Sequence, residues 1–142
     1  MATQEDATTV DETMIARFGL EKGHIIQEFG YEDDVDESLR EGIETATSEA
    51  IVFEDHGDVT DGVLVWFREG DEDLADLLMD AQALLDDGGS MWVLTPKAGL
   101  PGHVEPRIIG ESASLAGLHA TSTFVVGEAW SATQLGEKGR SK

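Results

Sequence analysis

The stretch "DGVLVWFREGDEDLADLLMDAQALLDDGGSMWVLTP", Asp61 to Pro96, sets a helical apolar period between two unbroken apolar runs. Asp61 to Phe67 and Ser90 to Thr95 are short continuous runs of the kind that suits strands covered on both faces. Between them Leu74, Leu77, Leu78, Ala81, Leu84 and Leu85 follow the i, i+3, i+4, i+7 rule, and Gly88 is placed to stop the helix. A strand, a helix and a second strand of these lengths make a βαβ unit, which requires parallel strands joined by a crossover.

The flanking sequence repeats the theme. His24 to Phe29, in "HIIQEFG", is a short strand ended by Gly30. In "DDVDESLREGIETATSEA", Val35, Leu39, Ile43 and Ala46 mark a helix of about four turns, with Asp33 or Asp34 as its N-cap. "AIVFED" is a weaker second strand. In "VEPRIIGESASLAGL", Pro106 fits a first helical turn and Ile108, Ile109, Ser112, Leu115 and Ala116 form one face. "TSTFVVGEAWSATQL" reads as two short strands, or one bent at Gly127. The expected fold class is α/β: a small Rossmann-like three-layer domain with a mostly parallel sheet and a possible antiparallel edge. Residues 1–15 are expected to be a disordered acidic tail, 16–135 a single domain, and 136–142 a disordered basic tail.

Thirty acidic residues face nine basic ones among 142, a net charge of −21. That field disfavours direct contact with nucleic acid or an anionic membrane. It is compatible with solubility, with adaptation to high salt, and with a basic partner or mimicry of nucleic acid. The chain lacks cysteine, which removes disulfides, thiolate metal sites and a Cys nucleophile. No basic start leads into an apolar run, and no stretch has the roughly 20 apolar residues needed to span a bilayer. A cytoplasmic protein is expected.

The chemistry-bearing motifs are sparse. Nucleotide-binding sheets carry a Gly-rich turn after the first strand, but here the turn is "GYEDDVDE", with one glycine and many acids that would repel a pyrophosphate. No P-loop is present. S-adenosylmethionine, a sulfonium cation, is less disfavoured; Gly30 and Glu54 are the candidate residues for it, because a ribose-binding carboxylate would sit near the end of the second strand. The four histidines stand singly without metal-ligand spacing, and an EF-hand counted from Asp33 would place Ser38 and Glu44 at its sixth and twelfth positions. Ser38 stands where that loop requires glycine, so no metal site is expected. No GxSxG elbow occurs. Lys97, Gly99, Gly102, His103 and Arg107 are grouped at a helix start, either as an anion-binding pocket or as a plain reversing loop. Trp66, Trp92 and Trp130 fall in or near strands, as core anchors or as a binding surface.

The segments "HIIQEFGYEDDVDESLREGIE", "GVLVWFREGDEDLADLLMDAQALLDDGGSMWVLTPKAGLPGHVEP" and "TSTFVVGEAWSATQL" together resemble an uncharacterised family of small acidic actinobacterial proteins, a domain of unknown function. The resemblance runs from about Phe18 to Leu135. The family's layout is similar to a shortened methyltransferase-type Rossmann domain whose cofactor loop has been lost, and it supplies no catalytic residues to carry over. The leading expectation is a non-catalytic domain without a cofactor that binds another protein, one with a basic surface. Its candidate surface comprises Gly30, Tyr31, Asp33, Asp34, Asp36, Lys97, Gly99, Gly102, His103 and Glu105. The alternative is a sensor or methyltransferase-like enzyme that binds S-adenosylmethionine or a small anion.

Overall fold

The computed structural model describes residues 10–71 and 73–137. Its elements run α1 (Glu12–Ala16), β1 (Ile26–Phe29), α2 (Glu37–Thr47), β2 (Thr60–Trp66), α3 (Leu74–Ala81), β3 (Leu85–Pro96), α4 (Pro106–Leu115), β4 (Leu118–Val126) and β5 (Trp130–Glu137). The sheet order is β1-β2-β3-β5-β4. β1, β2 and β3 are parallel, with Phe29 opposite Val65 and Trp66 opposite Leu94. β5 runs antiparallel to both β3 and β4, so the antiparallel edge is the β5–β4 pair. Beyond β1, Val52 forms a parallel bridge to Gln27, its carbonyl accepting from the Glu28 amide and its own amide donating to the Ile26 carbonyl. The weak strand "AIVFED" is thus a sixth position of the sheet reduced to one bridge.

Successive strand residues point to opposite faces, and this alternation builds two cores. Leu64, Trp66, Trp92 and Leu94 face α1 and α2, in a cluster with Met14, Leu39 and Ile43. Val63, Val65, Met91 and Val93 face α3 and α4, in a cluster with Leu74, Leu78, Ile109 and Ala113. Helices therefore cover both faces, as a continuous apolar strand requires, and the fold is a three-layer Rossmann-like one.

Several local expectations are corrected. The α2 N-cap is Asp36, whose Oδ1 accepts from the Leu39 amide at 3.1 Å, and not Asp33 or Asp34. Asp34 is unavailable because its carboxylate is bound by Arg68. Asp36→Ala should cost about 1 kcal/mol of stability, measurable by urea denaturation. α2 has 11 residues, about three turns.

α3 ends at Ala81, short of the expected Leu85. The Leu84 carbonyl instead accepts from the Thr60 amide, and Leu85 pairs with Thr60 at the start of β3, so strand pairing overrides the helical period there. Gly88 consequently lies inside β3 and stops no helix. On α4, Ile109 and Ala113 are the buried positions, whereas Leu115 is 74% exposed because it faces away from β3 and β4.

Part of the segment read as an acidic tail is structured. Asp11 caps α1 by accepting from the Met14 amide, and Met14 and Ile15 are buried against α2 and the sheet. Gly136 and Glu137, placed in the basic tail by the sequence, complete β5 opposite His119 and Leu118. The rest of both tails, residues 1–9 and 138–142, lies outside the described residues.

Candidate functional site

The carboxyl ends of β1 and β2 lie side by side, the place where open α/β sheets receive ligands. Two arginines occupy this place. Arg40, from the first turns of α2, donates through Nε to Glu28 Oε2 at 2.9 Å and through Nη2 to Glu28 Oε1 at 3.0 Å. Trp66 Nε1 adds a third bond, to Glu28 Oε2 at 2.8 Å. Glu28 is enclosed completely, its side chain 0% exposed. A carboxylate so held has no face left for a substrate. Arg40 also donates through Nη1 to Glu37 at 3.0 Å. Burial alone would lower the Arg40 pKa, but the bonds and charges of Glu28 and Glu37 outweigh it and raise the value.

Arg68, two residues past the end of β2, organises the neighbouring loops. Its Nε and Nη2 grip both oxygens of Asp34 at 3.1 and 2.5 Å. Its Nη1 donates to the Gly30 carbonyl at 2.9 Å, and its amide donates to Asp71 at 3.0 Å. The guanidinium lies 5.4 Å from the ring centre of Trp130, whose own Nε1 donates to the Asp34 carbonyl. Burial again acts to lower the pKa, and Asp34, Glu32 and Asp71 together raise it.

The structure brings together Gly30, Tyr31 and Asp34 of the expected surface with Glu54, the carboxylate expected as the alternative contact to S-adenosylmethionine. The Gly30 amide donates to Glu54 Oε2 at 3.1 Å. Tyr31 donates its hydroxyl to Glu37 at 2.8 Å and packs edge-on against Phe53. That hydroxyl, and then Arg40, hold the Glu37 pKa below its ordinary 4.5, while the same bond raises that of Tyr31. A depressed carboxyl pKa contributes stability that is full above the ordinary value and disappears as pH falls through the folded one. The gap in unfolding midpoint between wild type and Tyr31→Phe should therefore be widest above about pH 5 and close towards about pH 3, which a pH series of thermal melts reads directly.

The loop between β3 and α4 reaches the same end of the sheet through Arg68: the Gly102 carbonyl accepts from the Glu69 amide, and Gly102 packs beside the Arg68 side chain. His103 Nδ1 lies 3.0 Å from the Pro96 carbonyl; a carbonyl only accepts, so this nitrogen carries the proton. The Lys97 amide is tied to the Ala129 carbonyl, and Gly99 is exposed at the loop tip. Glu105 occupies the N-cap position of α4 without a capping bond, and its carboxylate pairs with Arg107 at 3.7 Å. Glu111 meets Arg107 from the other side at 3.4 Å. Among the grouped loop residues, Arg107 is therefore flanked by two carboxylates. Asp33 is exposed, and Asp36 serves α2 as described.

Two clefts, of about 420 Å³ between α1 and α2 and about 350 Å³ beside Glu21, Asp61 and Asp86, are lined by none of Gly30, Glu54 and Lys97. Among the described residues no helix is long and apolar enough to cross a membrane, and no three metal-ligating side chains converge.

Glu28, Arg40 and Arg68, which organise this end of the sheet, are absent from the surface expected from the sequence. The available signal was an acid in an apolar strand, "IIQEF", and two arginines, each close to a strand or helix end, in a chain with nine basic residues.

Sheet order and strand directions give a methyltransferase-like Rossmann fold. It superposes on the pyocyanin biosynthetic protein PhzM with a TM-score of 0.64 at 13% identity, covering 87% of this chain and 53% of that one. A SAM-dependent methyltransferase from Aquifex aeolicus gives 0.57 at 15%, with 87% of each chain covered. An O-methyltransferase of neocarzinostatin biosynthesis, NcsB1, gives 0.60 at 12%, and the chain spans 49% of its length against 81% of its own. At these identities the likeness is one of fold. The chain belongs to the family described as "Protein of unknown function (DUF3052)", which matches residues 15–139. It is 45% identical over 119 residues to uncharacterized proteins of Mycobacterium tuberculosis and Mycobacterium bovis, covering 84% of this chain and 75% of each of those.

Proposed function

We propose that this chain is a methyltransferase-like domain that acts by binding another protein and not by catalysis. One observation carries the reading: the ends of β1 and β2 are filled by Arg40 clamped on Glu28 and Arg68 clamped on Asp34. S-adenosylmethionine does not fit this set. The two ion pairs fill the strand ends, the Gly30 amide is engaged by Glu54, and the Gly30 carbonyl by Arg68. Neither S-adenosylmethionine nor a small anion is a ligand in this reading. The acidic loop after β1 and the loop from Lys97 to Glu105 are then free to serve as a partner-facing surface, and the net charge favours a basic partner.

The test is thermal unfolding with S-adenosylmethionine and S-adenosylhomocysteine. A ligand at a hundred times its dissociation constant would stabilise the native state by about 2.7 kcal/mol. No shift is expected at millimolar ligand; a saturable shift that disappears in Glu54→Gln would overturn the reading.

A further inference from the structure

We propose that Tyr31 and Phe53 form a docking platform for a basic segment of the partner, whose apolar side chain packs on the two rings while a flanking arginine or lysine lies against the acidic rim. This rests on the protein-binding reading above and adds to it a location and a partner chemistry. Tyr31 is 43% exposed and Phe53 46%, although both are large apolar groups beside a packed core. Their rings meet nearly perpendicular, centroids 6.3 Å apart.

The pair is held from beneath. The Arg40 guanidinium lies 4.8 Å from the Tyr31 centroid and 5.7 Å from that of Phe53, and it is fixed in turn by Glu28 and Glu37. The Tyr31 hydroxyl is tied to Glu37. Rings locked this way lose little conformational freedom on binding, and exposed, preorganised aromatics are what interfaces use as anchors.

The occupant's charge follows from the rim. Glu32, Asp33, Glu54 and Asp55 are exposed beside the two rings in sequence. Of the neighbouring cations, Arg40 is spent on Glu28 and Glu37, and Arg68, 4.0 Å from Glu32, is gripped by Asp34. An acidic or purely apolar segment would meet repulsion or leave these carboxylates facing it unpaired, whereas a segment carrying arginine or lysine next to a large apolar side chain satisfies both features.

The experiment is fluorescence anisotropy with a dye-labelled peptide Arg-Leu-Arg-Trp-Arg-Leu, and its glutamate counterpart as control, at about 150 mM salt. The arginine peptide should bind the wild-type protein and the glutamate peptide should not. Tyr31→Ala with Phe53→Ala should weaken binding at least about tenfold, and Asp33→Lys, a change at an exposed position that leaves the rings in place, should weaken it separately. Native circular dichroism and a single cooperative unfolding transition above the assay temperature certify that the variants fold. Binding that survives loss of both rings would reduce the platform to charge attraction and overturn the proposal, as would no binding at all. If the peptide fails while S-adenosylmethionine still gives no shift, the docking proposal falls and the non-catalytic reading stands; a saturable shift with S-adenosylmethionine overturns that reading itself.

Discussion

Replacing Arg40 with methionine is expected to lower the unfolding free energy by about 3–5 kcal/mol, the usual cost of removing one partner from a buried ion pair. Methionine keeps an unbranched apolar stem and lacks the guanidinium, so the loss is chiefly of charge and hydrogen bonds to Glu28 and Glu37. Glu28 would retain the Trp66 N–H and lose both guanidinium bonds, with its side chain 0% exposed and closed to water. The double variant Glu28→Gln with Arg40→Met should recover part of the loss, because a neutral amide can still accept from Trp66 and needs no counter-charge. Urea denaturation of the four proteins completes the cycle. If Arg40→Met unfolds at the wild-type midpoint, the pair is not what holds the ends of β1 and α2 together.

Gly30→Ala should cost about 3 kcal/mol. Two effects combine: the residue adopts φ of 78°, strained for any L side chain, and an added Cβ would sit 2.2 Å from the Trp66 carbonyl oxygen. That oxygen belongs to the backbone at the end of β2, so relief requires the strand ends to separate, which disturbs the Arg68 bond to the Gly30 carbonyl. Gly99→Ala is the matched control. It has φ of 90° but nothing within 4 Å of the added atom, so only the conformational cost of about 1–2 kcal/mol remains. Equal losses at the two positions would show that the close approach at Gly30 is not felt.

The candidate site was legible in its location more than in its chemistry. The loop after the first strand and the loop from Lys97 to Glu105 were both readable as surface features, and Arg68 joins them at one end of the sheet. Sequence spacing offered no sign that Arg68 would reach back across 34 residues to Asp34, or that Arg40 would close over Glu28. Such pairs depend on where the crossover helices deliver their side chains. The same limit explains the misplaced cap of α2: Asp33, Asp34 and Asp36 are equivalent as capping residues, and competition from Arg68 for Asp34 selects among them.

The apolar periods by themselves determined the architecture. Unbroken runs such as "GVLVWF" and "MWVLT" must be covered on both faces, and the helical stripes between them are long enough only for crossovers. Tertiary structure alone decided that α3 stops at Ala81, since Thr60 takes the Leu84 carbonyl; that the second strand shrinks to one bridge at Val52; and that the crevice at the strand ends holds two arginines. Periodicity records which side of an element is buried, a local property of the chain. Hydrogen-bond and ion-pair partners distant in sequence are chosen by the packing of several elements at once.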